Sequence, residues 1–250
     1  MMGTVTIAGA GPGTLEHLTV GALRAIHAAD VILYDALVGD SIVAEFPANA
    51  ETVFVGKRCG NHAYTQTMII AAMIEHAMAG RNVLRLKGGD PAIFAHLSAE
   101  LEALKQLGIE TRILPGVTAM LAAAADLGRP LTTRGSCRHI WVTDGHSEDV
   151  RKYAASMAAF PGTLVFYMGA GRAREIAQLL VSNGLDDSKP CVLVENAGSE
   201  LRQINRGSVA DAAAGKMTRS TLGPGILLLG DALAVETAPT DTNYAVATQL

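Results

Sequence analysis

Short apolar runs alternate with amphipathic helical segments along the first 114 residues, and this alternation is the strongest constraint on the fold. Each run has the length and the β-branched content of a buried strand, and several end in glycine. Strand–helix alternation of this kind is typical of a mostly parallel sheet covered by helices. The predicted strands here are Thr4–Ala8, Val31–Tyr34, Thr52–Val55, Val83–Leu86 and Glu110–Leu114. The predicted helices are Thr19–Ala29, Ser41–Glu45, Thr65–Ala79 and Ser98–Leu107.

The run Pro115-Gly116-Val117-Thr118 interrupts the alternation, and we predict a domain boundary there. After an alanine-rich helix over Ala119–Asp126, predicted strands and helices alternate again. We therefore predict two α/β domains with mostly parallel mixed sheets, over 1–114 and 115–236, with a cleft between them as the ligand site. The polar segment 237–250 is predicted to be a flexible tail. The later strands are expected at His139–Thr143, Thr163–Tyr167, Cys191–Glu195, Gln203–Gly207 and Ile226–Leu229, and the later helices at Val150–Ala158, Arg172–Ser182 and Ser208–Ala214.

Composition excludes several classes of protein. The net charge is −4, so no overall basic field favours nucleic acid. No apolar run approaches the roughly 18 residues of a membrane span, and the chain enters its first strand directly after Met1, so we expect no secretory leader and a cytoplasmic protein. The cysteines Cys59, Cys137 and Cys191 are odd in number and lack metal-ligand spacing, which predicts reduced thiols and no metal site.

Two glycine turns are candidate ligand loops. Gly88-Gly89-Asp90-Pro91 follows a buried strand, where ligands of α/β sheets collect, although an ordinary turn remains open for this segment alone. Gly9-Ala10-Gly11-Pro12-Gly13 begins like a dinucleotide fingerprint, but Thr14 occupies its last position and Pro12 removes a donor. This loop is the only basis for a nicotinamide-dependent oxidoreductase, and a structural turn is equally compatible with it.

Cations cluster near predicted strand ends. Lys57, Arg58 and His62 follow the third strand, and Arg134 and Arg138 lie near Pro130. Such a set suits a ligand with several carboxylates or phosphates, whereas each residue alone suits a solvated loop.

Taken together, motifs from about Val5 to Leu233 resemble the tetrapyrrole methyltransferases, and within them the uroporphyrinogen-III C-methyltransferases. The motifs are Gly9-Ala10-Gly11-Pro12-Gly13, Leu33-Tyr34-Asp35-Ala36-Leu37-Val38, Val55-Gly56-Lys57-Arg58 with His62, Leu86-Lys87-Gly88-Gly89-Asp90-Pro91, Pro115-Gly116-Val117-Thr118-Ala119, Pro130-Leu131-Thr132-Thr133-Arg134-Gly135 and Thr163-Leu164-Val165-Phe166-Tyr167-Met168-Gly169.

The resemblance implies the tetrapyrrole methylase fold, a homodimer, and two methylations of uroporphyrinogen III, at C2 and C7, that give precorrin-2. S-adenosylmethionine would be the donor and S-adenosylhomocysteine the second product. Lys57, Arg58, His62, Arg134 and Arg138 would bind the substrate, and catalytic roles would fall to Asp35, His96 and Glu100. The residues implied for the donor are Pro12, Gly88, Gly89, Asp90, Ile93, Thr118, Ala119, Met168, Ala197 and Gly225.

The chain departs from the family pattern just after Pro91. The family arginine, important for substrate and catalysis, is His96 here, and the first glutamate of the family pair is Ala99, so that only Glu100 survives. An imidazole titrates near neutrality whereas a guanidinium is always charged. Two alternatives therefore stay open: methylation of a different tetrapyrrole, and non-catalytic binding of the donor or a tetrapyrrole.

Overall fold

A computed structural model describes residues 2–56 and 64–234. Five parallel strands form the first sheet in the order β3-β2-β4-β1-β5. The middle strands are buried on both faces, as their nearly continuous apolar sequences require. The strands are β1 Val5–Gly9, β2 Val31–Tyr34, β3 Glu51–Phe54, β4 Val83–Lys87 and β5 Thr111–Leu114.

Helices cover both faces of this sheet, so its core has two layers. α1 and α2 pack on one face through side chains such as Ile26 and Ile42, whereas α3 and α4 pack on the other through Met73 and Leu104. The threonine side chains that begin α1 and α3 accept main-chain hydrogen bonds, which stabilises both helix starts. The helices are α1 Val20–Ala28, α2 Asp40–Val43, α3 Gln66–Met78 and α4 Leu97–Gln106.

The second sheet also has five strands, in the order β6-β7-β10-β8-β9. Only the β6–β7 pair in it is parallel, and the other three pairs are antiparallel. Over both sheets, five of the eight strand pairs are parallel, as predicted, but they are concentrated in the first sheet. The strands are β6 Ile140–Asp144, β7 Thr163–Tyr167, β8 Pro190–Glu195, β9 Gln203–Ser208 and β10 Gly225–Leu229.

The second sheet is likewise covered on both faces. α5 packs against one face through Ala122, Ala123 and Leu127, and α6 to α9 cover the other. The helix predicted over Val150–Ala158 is two short helices, because the chain leaves helical geometry at Tyr153. None of the helices in the described part of the chain is long and apolar enough to cross a membrane. The helices are α5 Ala119–Leu127, α6 Asp149–Lys152, α7 Ala154–Ala158, α8 Ala173–Ser182 and α9 Val209–Ala213.

Candidate active site

A cleft of about 1090 Å³ lies where the two sheets face each other. The first sheet contributes the segments that follow β1, β2 and β4, and the second contributes those that follow β7 and β8 and precede β10. The carboxyl ends of parallel strands are the usual ligand sites of α/β sheets, and the first sheet obeys this rule.

Three glycines bring main chains into direct contact at the floor of the cleft. A Cβ on Gly9 would lie 2.5 Å from the carbonyl oxygen of Gly89 and 2.6 Å from the Cα of Gly116. The amide of Gly89 donates to the carbonyl of Gly11 at 2.7 Å, and the amide of Gly11 donates back at 3.2 Å. Side chains on Gly9 and Gly116 would push these main chains apart, so both glycines are a packing requirement.

The carboxylate of Asp90 ties this floor to the start of the second half of the chain. One oxygen accepts a hydrogen bond from the amide of Ala92 at 2.8 Å, and the other accepts one from the amide of Gly116 at 2.9 Å. Both oxygens are therefore engaged in holding the two loops together.

Four non-glycine residues in the described part of the chain have positive φ, and all four line the cleft. Phe94 and His96 lie in the turn after β4, Met168 follows β7, and Asn196 follows β8. Residues other than glycine rarely adopt this backbone conformation, and backbone strain of this kind is concentrated at functional sites.

Tyr167, at the end of β7, connects the second sheet to the start of α5. Its hydroxyl shares a 2.5 Å hydrogen bond with the hydroxyl of Thr118 and accepts one from the amide of Met120 at 3.1 Å. Burial raises the pKa of Tyr167 above its ordinary value. Its ring also contacts that of Phe94, 5.3 Å away between centroids, so the two sheets meet here.

Charged side chains form a buried cluster under the first-sheet side of the cleft. Arg85 and Lys87 both extend from β4, and the fully buried carboxylate of Glu100 lies beside them. Glu100 Oε1 lies 2.7 Å from Lys87 Nζ and 3.6 Å from Arg85 Nε, and it accepts a hydrogen bond from the side chain of Gln66 at 3.1 Å. Asp35 completes the cluster, 3.4 Å from Arg85 Nη2.

Another carboxylate organises the loop on the opposite side. Glu195 accepts hydrogen bonds from the main chain of Ser220 and Thr221 and from the side chain of Arg219. Burial opposes its charge, but these bonds prevail and lower the pKa of Glu195. Arg219 is thereby held at the edge of the cleft.

Comparison with known proteins assigns the family. The model of the tetrapyrrole (corrin/porphyrin) methylases matches residues 4–213. The chain belongs to the tetrapyrrole methylases. Among curated relatives, the siroheme synthase of Edwardsiella ictaluri is 37% identical over 93% of the chain, and that of Xylella fastidiosa is 38% identical over 93%. The chain spans about half the length of these relatives, 50% and 49% respectively.

Solved structures give the same family over their full length. A uroporphyrin-III C-methyl transferase from Thermus thermophilus, complexed with S-adenyl homocysteine, aligns with a TM-score of 0.78 at 35% identity, covering 92% of this chain and 99% of the other. A cobalt precorrin-4 methyltransferase aligns with a TM-score of 0.80 at 25% identity, covering 93% and 96%. The fold predicted from the sequence is therefore confirmed as that of this methylase family.

All ten residues that the family resemblance implies for the donor line the cleft of this methylase. Asp35 and His96, implied as catalytic, line it as well. Glu100 does not line the cleft, and its side chain is 0% exposed. The cause is its position in the first turn of α4, on the face that packs against the sheet.

Of the five predicted substrate-binding residues, only Arg134 and Arg138 belong to the part of the chain that the structure describes. Arg134 lies in a short turn closed by the Thr133–Cys137 bridge, and Arg138 directly follows that turn. Both are exposed, and neither lines the cleft. Lys57, Arg58 and His62 lie outside the described residues. The predicted tail 237–250 also lies outside them.

Several cleft residues were not predicted. Arg85 falls inside a predicted strand, Lys87 inside a quoted motif and Tyr167 inside both, yet none of the three was given a role in the site. Two cations in an otherwise apolar buried strand were a usable signal, because such residues are rarely buried without a partner. Gln66 and Arg219 carried no local signal. Within residues 2–56 and 64–234, no cluster of three or more histidine, cysteine or carboxylate side chains could hold a metal ion.

Proposed function

We propose that this chain uses S-adenosylmethionine to methylate uroporphyrinogen III at C2 and C7, giving precorrin-2. The observation that carries the proposal is the cleft between the sheets, lined by glycine turns and strained residues at the strand ends. The likeness to the Thermus thermophilus transferase over 99% of that chain supports the assignment.

The side chains and main chain of the cleft fit this donor. Gly89 has φ +68° and open space where a Cβ would be, so its bare main chain faces the cleft and allows close approach of a ligand. Pro12 has no amide hydrogen to offer a pyrophosphate, which is no handicap for a donor without phosphates. Residues proposed to hold the donor are the ten that line the cleft, Pro12, Gly88, Gly89, Asp90, Ile93, Thr118, Ala119, Met168, Ala197 and Gly225.

When bound, S-adenosylmethionine supplies an electrophilic methyl group on a sulfonium centre. The task of the protein is to hold the donor and the acceptor in line and to exclude water. The Asp90 bonds to the Ala92 and Gly116 amides and the Tyr167 bonds to Thr118 and Met120 fix the loops that would do so. The electrostatic setting is preorganised, since these polar groups are already hydrogen-bonded.

On the acceptor side, the half-buried Asp35 and the exposed His96 both line the cleft. We propose that one of them accepts the proton that the methylated ring must lose, since a carboxylate and a neutral imidazole are both suitable bases. Glu100 serves this site as a positioning residue beneath the floor. Lys57, Arg58 and His62 remain proposed substrate contacts, as do the exposed Arg134 and Arg138, although neither of these two arginines lines the cleft.

The test is the mass spectrum of the product formed from uroporphyrinogen III and labelled S-adenosylmethionine. We expect two labelled methyl groups, one after the other. Binding of S-adenosylhomocysteine in calorimetry without label transfer would contradict the proposal and favour a non-catalytic binder. In that case the decisive variant is His96→Arg, which restores the family residue. If this variant transfers the label, the lack of methyl transfer in the wild type is due to His96.

Methylation of another tetrapyrrole is the second candidate. His96 and Ala99 depart from the family pattern on the acceptor side. The cobalt precorrin-4 methyltransferase also aligns with a TM-score of 0.80, similar to the 0.78 of the uroporphyrin enzyme. Transfer to a precorrin but none to uroporphyrinogen III would favour it.

We further propose that the enzyme is a homodimer of the cytoplasm, as the family resemblance implies. Light scattering coupled to size-exclusion chromatography measures the mass of the assembly, and a monomer at micromolar concentration would contradict the first part. Fractionation of cells that express the full chain tests the second.

A further inference from the structure

Lys87 is a buried cation at the floor of the cleft that no predicted role accounts for. It is the last residue of β4, directly before the Gly88–Gly89 turn, and its side chain is 5% exposed. It nevertheless lines the cleft, as does Arg85. Placing an ammonium group at such a depth is costly unless it is paired and hydrogen-bonded.

Within the part of the chain that the structure describes, the hydrogen bonds of Lys87 leave donors unused. Its ammonium group carries three N–H bonds, and one partner is found for them in residues 2–56 and 64–234, Glu100 Oε1 at 2.7 Å. Arg85 makes more hydrogen bonds: Nη1 donates to the carbonyls of Leu33 and Leu86 and Nη2 donates to Asp35, whereas its buried Nε has no hydrogen-bond partner in the same residues and lies 3.6 Å from Glu100 Oε1.

Glu100 holds Lys87 in place without satisfying it. Its Oε1 accepts hydrogen bonds from Lys87 and Gln66 and lies near Arg85 Nε. Its Oε2 is buried and has no hydrogen-bond partner among the described residues. The strand fixes one end of the lysine side chain and the carboxylate fixes the other. The geometry is that of a cation held beneath a ligand, with Glu100 as the positioning residue.

We propose that Lys87 binds a carboxylate of a ligand in the cleft through its unused N–H donors. The inference rests on the proposed function, since both the amino-acid part of S-adenosylmethionine and the side chains of uroporphyrinogen III carry carboxylates. Burial, followed by the charge of Arg85, lowers the pKa of Lys87 while Glu100 opposes that shift. A second anion would compensate the buried charge further.

Lys87→Met separates the two sources of the carboxylate. If the donor supplies it, we expect the Kd of S-adenosylhomocysteine in calorimetry to rise by about tenfold or more, as for the loss of a charge-assisted hydrogen bond. If the tetrapyrrole supplies it, the KM for uroporphyrinogen III should rise by a similar factor with the Kd unchanged. Both constants unchanged would overturn the proposal.

Methylthioadenosine is the matched control ligand because it lacks the amino-acid carboxylate. Its Kd should be the same for the wild type and for Lys87→Met. An equal loss of affinity for methylthioadenosine would mean that the substitution damages the cleft as a whole, and it would overturn the proposal.

Lys87→Met leaves Glu100 buried without its cation and could unfold the chain, so the double variant Lys87→Met/Glu100→Met is needed. Replacing a buried ion pair by apolar side chains of similar size is often neutral for stability. We expect the double variant to fold and to keep the weakened affinity. Recovery of both wild-type constants would mean that Lys87 only neutralises Glu100, which overturns the proposal.

Failure of the proposed role of Lys87 can be distinguished from failure of the proposed function. If the wild type transfers no methyl group, the function proposed above is wrong. The calorimetric comparison of S-adenosylhomocysteine with methylthioadenosine then tests the donor as the source of the carboxylate, and calorimetric titration with uroporphyrinogen III tests the tetrapyrrole. A weaker affinity of Lys87→Met for S-adenosylhomocysteine alone or for uroporphyrinogen III supports the role of Lys87, and unchanged affinities for both overturn it.

Discussion

Tyr167→Phe removes one oxygen atom that serves two buried partners. The hydroxyl of Tyr167 accepts the amide hydrogen of Met120, in the first turn of α5, and bonds to the hydroxyl of Thr118. Thr118 precedes α5 but its own side chain does not cap the helix. Tyr167 therefore acts as the cap of α5 from a strand 47 residues away in the chain.

The magnitude follows from these two bonds. Loss of a helix cap lowers the free energy of unfolding by about 1 kcal/mol. The buried hydroxyl of Thr118 also loses a hydrogen-bond partner, which lowers it by about 1 kcal/mol more. For a chain of this length each kcal/mol lowers Tm by about 2–4 °C, so we expect a decrease of about 4–8 °C. The ring and its contact with Phe94 are retained in the variant, so packing is preserved.

Differential scanning fluorimetry of wild type and variant at equal concentration measures the difference. Tyr153→Phe is the matched control, because Tyr153 is 40% exposed and its hydroxyl has no hydrogen bond within the described residues. We expect its Tm to stay within about 1 °C of the wild type. A decrease of Tm in Tyr167→Phe no larger than in Tyr153→Phe would refute the capping argument.

Further predictions concern packing, charge and thiol reactivity. Gly116→Ala should lower the free energy of unfolding in urea by about 1–3 kcal/mol, because the added Cβ would overlap the carbonyl oxygen of Gly89. Gly171→Ala is the control: the space around Gly171 is open, so its free energy of unfolding should not fall. Hydrogen bonding by Lys216 lowers the pKa of Asp211 from 3.8 to about 2, so its stabilising effect is present above pH 3.8 and is lost as the pH falls through about 2; Asp211→Asn should lack this dependence in acid unfolding, and an unchanged profile would contradict it. Burial raises the pKa of Cys191 to about 12, so iodoacetamide at pH 8 should leave the Cys191 peptide unlabelled in mass spectra until denaturant is added; labelling in the folded state would contradict its burial.

Local sequence signals predicted the secondary structure closely. The strand at Val31–Tyr34 has the predicted bounds. β4 extends one residue beyond its predicted end, and α3 is one residue shorter at each end. Periodicity and threonine caps act over a few residues, which is why these elements can be read from the chain. The break at Tyr153 was missed, since the apolar pattern continues through it.

The sequence predicted the glycine-turn residues of the cleft better than its charged residues, and the reason is physical. Glycine turns and residues beside them, such as Gly89 and Thr118, carry their conformational demands in their own identity, and they line the cleft. Long side chains carry no such information, because their direction depends on what packs around them. Arg134 and Arg138 thus do not line the cleft, and the buried Glu100 does not line it either.

The sequence by itself determined that strands end in glycine turns, that the core is aliphatic, and that the motifs are those of a tetrapyrrole methylase. Only the tertiary structure decided that three pairs of the second sheet are antiparallel, that Tyr167 caps α5, and that Glu100 holds Lys87 beneath the cleft. The first set depends on the conformational preferences of neighbouring residues. The second depends on contacts between distant segments, whose energies exist only once the chain has folded.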